Sequence, residues 1–152
     1  MVHRTTSFLR YWLPVILWMI LIFSGSTDAM SSSHTSRIIG PLLRWLKPDI
    51  SEAAVGRIVL TVRKSGHLTE YAILALLFWR AWRNPARADG AWRWLEAFFA
   101  VTAAGVYAAS DELHQYFVPS RGASFGDVLL DTAGAVAGVL ALWAVGRWRG
   151  RW

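Results

Sequence analysis

The chain has 152 residues, 55% of them apolar, with 16 basic against 10 acidic side chains and no cysteine. That length holds one domain, and the lack of cysteine excludes disulfides, thiolate metal sites and cysteine nucleophiles. The net charge of +6 does not mark a nucleic-acid groove, because nine of the sixteen basic residues flank apolar segments at ends that would share one side of a membrane.

Four apolar segments are expected, at about 8–24, 65–82, 94–112 and 124–145. The first carries Arg10 and Pro14 near its start, where arginine can snorkel and proline is tolerated. Arg4 and Arg10 before a short apolar core ending in Ser24-Gly25-Ser26 also fit a cleavable signal peptide. Ser31-Ser32-Ser33 then reads as irregular, and 38–46, broken by Gly40-Pro41, as a short amphipathic piece. Ser51 is a candidate N-cap with Glu52 in the first turn, starting a helix that is expected to lie at the interface and run to about Lys64. A helix needs about 20 residues to cross the hydrocarbon core, so the second and third segments span only if their polar ends lie at or inside the interface.

Basic residues orient the set. Arg4 and Arg10, then Arg80, Arg83, Arg87 and Arg93, then Arg147, Arg149 and Arg151 all fall on one side of four crossings. By the positive-inside bias that side is cytoplasmic, which puts both termini inside a multi-pass protein of the cytoplasmic (inner) membrane. The first loop carries Arg37, Arg44, Lys47, Arg57, Arg63 and Lys64 outside, but in a long, partly interfacial loop such charges inform less. Trp79, Trp82, Trp92, Trp94, Trp143 and Trp148 form an aromatic belt on the inner side. The expected architecture is all-α: a single domain over 1–152, with a four-helix transmembrane bundle and an interfacial helix in its first extracytoplasmic loop.

The polar residues at membrane depth gather on the other side. Asp111-Glu112-Leu113-His114-Gln115 follows a run, 97–109, that has no charge. An acid at mid-bilayer costs about 2.5–3.5 kcal/mol and less near the interface, so such groups usually line a protected polar cavity. With this topology Lys64, His67 and Glu70 share the outer end with Asp111, Glu112, His114 and Gln115, with Arg121, and with Asp127 and Asp131. Lys64, His67 and Tyr71 stand at steps of three and four on one helix face, as do Asp111 with Gln115 and Asp127 with Asp131. Gly134 and Gly138 permit the close helix approach that closes these faces into a pocket.

Five acids (Glu70, Asp111, Glu112, Asp127, Asp131) against Lys64 and Arg121 leave an excess of three negative charges. Crowded carboxylates hold a proton, pair with bases or bind a cation. The pocket is therefore expected to take a divalent cation or an ammonium-bearing ligand, with Lys64 and Arg121 facing phosphate. His67, Glu70, Asp111 and Glu112 are the candidate metal ligands; His67 is a proton carrier or ligand, and Gln115, Tyr71 and Asp131 orient the rest. Plainer readings exist for Asp127, as a helix N-terminal charge, and for His114, as a side chain facing water. No nucleophile elbow supports a Ser-His-Asp hydrolase, and no His-Glu-x-x-His spacing supports zinc.

Three blocks in order, Lys64-x-x-His67-x-x-x-Tyr71-x-x-Leu74, Asp111-Glu112-x-x-Gln115-x-Phe117-x-Pro119-x-Arg121 and Asp127-x-x-x-Asp131-x-x-Gly134-x-x-x-Gly138, resemble the VanZ-like family of small integral membrane proteins. The family is named after an accessory determinant of teicoplanin resistance. Leu68 stands where that family commonly has an aromatic, and Asp131 where it commonly has asparagine, which adds a negative charge. The resemblance implies a four-helix membrane protein of the cell envelope. Its expected partner is a membrane lipid or lipid-linked envelope precursor, not nucleic acid. Three activities follow as expectations: headgroup binding; metal-assisted or acid–base hydrolysis or transfer on a lipid-linked phosphate or sugar; and small-solute transport, disfavoured because the acids sit at one end with no polar path onward.

Overall fold

The computed structural model describes residues 2–26, 32–83, 90–118 and 123–152. They form five helices: α1 (Val2–Gly25), α2 (Ser32–Leu46), α3 (Glu52–Trp82), α4 (Trp94–Tyr116) and α5 (Phe125–Trp148). No strand occurs among the described residues. Two helices are long and apolar enough to cross a membrane, over Phe8–Gly25 and Phe125–Trp148. Large apolar side chains point outward along α1 (Leu13, Leu17, Ile20), α4 (Phe98, Phe99, Val106) and α5 (Val136, Leu140). A soluble protein rarely exposes so continuous an apolar surface, whereas a helix bundle in lipid must.

Two features of the first loop differ from the sequence-based expectation. Ser32 and Ser33 lie inside α2, which continues through Gly40-Pro41; Ser31 lies outside the described residues. Proline ordinarily disfavours helix in the preceding residue through a clash with its Cβ, and the preceding residue here is glycine. The helix capped by Ser51, whose Oγ accepts from the Ala54 amide at 3.3 Å, does not stop at Lys64. It runs on as one helix of 31 residues to Trp82, about 46 Å at 1.5 Å per residue. Gly66, where a break was expected nearby, costs only about 1 kcal/mol in a helix interior, which the packing of α3 overrides.

α3 is the hub and packs against each of the other four helices. Its buried stripe, Tyr71, Leu74, Ala75, Phe78 and Trp79, meets three others. On α4 the stripe is nearly all alanine (Ala97, Ala100, Ala104, Ala108), so the backbones come close. On α5 a β-carbon at Gly134 would overlap the Leu68 backbone, and one at Gly138 would stand 3.0 Å from the Ala72 Cα. On α1 the stripe is Val15, Trp18 and Ile22, with the Trp18 indole N–H donating to the Glu70 carbonyl at 2.9 Å. The first apolar segment is thus an integral part of the bundle. At the end holding the C-termini of α3 and α5, Trp79 stacks on Trp92 at 5.3 Å and both meet Trp152. The Arg83 guanidinium lies over the rings of Trp79 and Trp152.

Gly134→Ala is expected to lose about 1–3 kcal/mol of stability, because the added carbon meets backbone that cannot rotate away. Gly56→Ala on α3 has nothing within 4 Å of its new carbon and is expected to be neutral or to gain about 0.5–1 kcal/mol. Thermal unfolding of the two variants in detergent separates them; equal behaviour would mean that the α3–α5 contact is not close.

Candidate functional site

Helical phase delivers the polar groups. Each buried stripe, followed one or two turns past its last apolar member toward the end opposite the tryptophans, reaches a polar residue on the same face. Ala104 and Ala108 lead to Asp111 and Gln115 on α4; Gly138 and Gly134 lead to Asp131 and Asp127 on α5; Leu74 and Tyr71 lead to His67 and Lys64 on α3. Val15, Trp18 and Ile22 lead to Ser26, just past the end of α1. The helix contacts that build the core therefore force these residues against one another.

The α3–α5 seam carries two acid–base pairs one turn apart. Lys64 Nζ lies 3.1 Å from Asp127 Oδ1, partly in the open. Deeper, His67 Nδ1 stands 3.6 Å from Asp131 Oδ1, an ion-pair distance too long for a direct hydrogen bond. Asp131 is only 1% exposed, and neither of its oxygens has a hydrogen-bond donor. Tyr71 is fully buried with its hydroxyl unpartnered. That hydroxyl is within electrostatic reach of Asp111, Asp131 and Tyr107.

The α4 side is tied down more completely. Asp111 Oδ2 accepts from the Ser26 hydroxyl at 2.6 Å and from the Gln115 amide at 3.0 Å, while Oδ1 has no partner. Glu112 turns the other way and accepts from the backbone N–H of Ser124, the N-cap of α5, at 2.9 Å. It also lines an open groove of about 350 Å³ with Leu113, Tyr116, Phe125 and Val128. The Tyr107 hydroxyl donates to the Met19 carbonyl at 2.7 Å and pins α4 to α1.

Nine of the ten candidate ligand residues can be placed. Lys64, His67, Tyr71, Asp111, Gln115, Asp127 and Asp131 gather at this end; Glu112 borders them, facing the α4–α5 groove. Glu70 is half-buried on α3 and acts electrostatically on His67 and Tyr71. Arg121 lies outside the described residues. His114 does not simply face water: its ring packs on Phe23 at 4.4 Å.

The metal expectation fares differently. Among the described residues no three His, Asp or Glu side chains gather as a metal-holding group, so the structure does not bring the candidates His67, Glu70, Asp111 and Glu112 together as such a set. Asp111 is engaged by Ser26 and Gln115 and Glu112 by Ser124, which draws the two carboxylates apart. Sequence reasoning missed Ser26 and Tyr107. Ser26 was legible as the next step of the Val15–Trp18–Ile22 stripe, at spacings of three and four; nothing in the sequence marks Tyr107.

Removing one donor of a buried hydrogen bond to a carboxylate costs about 1.5–3 kcal/mol. Ser26→Ala is therefore expected to destabilise by that amount, and by much less in an Asp111→Asn background, in a double-mutant cycle read by thermal unfolding. Lys64→Ala, which breaks an exposed pair, is expected to cost about 1 kcal/mol or less. Additive Ser26 and Asp111 changes would remove the contact from the account.

A family model described as VanZ/LLP1 matches residues 11–146. No curated protein and no solved structure matches the chain significantly. The matched span takes in all the stripes and every polar residue placed above, and the chain belongs to the VanZ/LLP1 family, as a helical membrane protein of the VanZ-like type.

Proposed function

We propose that this protein is a multi-pass protein of the cytoplasmic membrane that holds a lipid-linked headgroup at the extracytoplasmic end of its bundle. The observation that carries the reading is a group of buried polar atoms without partners at one end: His67 Nδ1, both Asp131 oxygens, Asp111 Oδ1 and the Tyr71 hydroxyl; the unpartnered atoms at the other end are the neutral indole N–H groups of Trp79 and Trp92. Each such atom costs several kcal/mol in a bilayer core, and a bundle retains that cost where a ligand supplies the missing contacts. The exposed apolar belts and the arginine-rich, tryptophan-rich opposite end support the membrane setting and its orientation.

In this reading α1 and the inner parts of α3, α4 and α5 cross the membrane, with both termini cytoplasmic, and the first turns of α3 with α2 lie at the outer interface. Lys64, only weakly held by Asp127, exchanges that carboxylate for the headgroup phosphate; Arg121, which the sequence puts between α4 and α5, is the second candidate phosphate contact. The buried acids face the headgroup's cationic part. Membership in the VanZ/LLP1 family supports an envelope role.

The chain has no cysteine, so single cysteines report topology without background. Ala123→Cys is expected to react with a membrane-impermeant maleimide in intact cells, and Ala91→Cys only after permeabilisation. The reverse pattern would put the polar end in the cytoplasm and remove the envelope reading. Phospholipid is expected to remain bound to the purified protein at about one per chain, as read by native mass spectrometry.

A further inference from the structure

We infer that the buried cluster around Tyr71 takes a primary ammonium group; this rests on the headgroup reading above and names the part of the headgroup that is bound. The unpartnered atoms at this end are mostly acceptors: three carboxylate oxygens, two from Asp131 and one from Asp111, beside His67 Nδ1 and the hydroxyl of Tyr71, which is within electrostatic reach of both acids. An –NH₃⁺ group offers three donors and one positive charge in a compact volume.

The charge count points the same way. Lys64 offsets Asp127, and His67 faces Asp131. The hydrogen-bond partners of Asp111, Ser26 and Gln115, are neutral, so no cation among them offsets its carboxylate, and a monocation would. Hydrogen bonds to a charged group are roughly twice as strong as neutral ones, and they form best where water is excluded, as it is from these atoms.

Two other cations fit worse. A divalent metal needs several anionic or imidazole ligands at one point, and no such group exists among the described residues. A quaternary ammonium has no N–H to donate, is held by aromatic faces, and would leave all the unpartnered acceptors unsatisfied.

The test is native mass spectrometry of the full chain in detergent. It is offered phosphatidylethanolamine, phosphatidylcholine and phosphatidylglycerol with identical acyl chains, and in a parallel arm phosphoethanolamine without acyl chains. Phosphatidylethanolamine is expected to be retained about tenfold over phosphatidylcholine, with the preference lost in Asp111→Asn. Tyr71→Phe, which deletes an unpartnered hydroxyl and should keep the fold, is expected to weaken the preference and provides a second reading if Asp111→Asn does not fold. Retention of either amine compound supports the ammonium site, and comparing the arms tells whether the amine must arrive on a lipid. Equal retention of the ethanolamine and choline lipids, a preference for phosphatidylglycerol, or an unchanged preference in the folded variants overturns the ammonium assignment and leaves headgroup binding standing. Retention of no lipid and no phosphoethanolamine overturns both.

Discussion

The contact on which the rest depends is that of Gly134 and Gly138 with the backbone of α3 at Leu68 and Ala72. Helices in lipid gain little from hiding apolar surface from one another, and associate through close packing instead. Here the packing is closest where α5 has no side chain at all. Once those two glycines seat on α3, the register of the two helices is set, and the residues one and two turns further out have no freedom left. Asp131 meets His67 and Asp127 meets Lys64 because they continue the same faces. The alanine stripe of α4 then brings Asp111 in from a second direction, and α1 adds Ser26 from a third.

The two ends of the bundle divide the work. The end with Trp79, Trp92 and Trp152 is interlocked by stacked rings under the Arg83 guanidinium, and the unpartnered buried groups there are the neutral indole N–H groups of Trp79 and Trp92. At the opposite end buried carboxylate oxygens are left over. A membrane protein does not hold such groups for stability, since filling their places with apolar side chains would be cheaper. One end closes on stacked neutral rings; the other carries buried carboxylate oxygens without donors.

Much of the site was legible in the sequence because buried charge in an apolar helix is expensive and therefore conspicuous. Spacing alone put Lys64 with His67 and Tyr71, Asp111 with Gln115, and Asp127 with Asp131 on common faces, and the glycine pair indicated how they would meet. Ser26 continues the Val15–Trp18–Ile22 stripe, so its face was legible but its role was not: a serine after an apolar helix has many ordinary uses, and only contact with Asp111 gives it this one. Tyr107 looks like any interfacial aromatic until its hydroxyl is seen on Met19. The continuity of α3 through Gly66 was illegible for a different reason. Local propensity favours a break there by a small amount, and the packing that overrides it lies on other helices. The parting of Asp111 and Glu112 was illegible too, because spacing along a helix fixes which face a carboxylate occupies but not which donor it turns toward.

The hydrogen bond from the Ser124 amide to Glu112 has a further consequence. It joins the last turns of α4 directly to the capping residue of α5, across twelve positions of chain. With the glycine seam on the other flank of α5, that helix is held on two sides by backbone atoms that no side-chain rotation can move: its Gly134 and Gly138 against α3, and the Ser124 amide against α4.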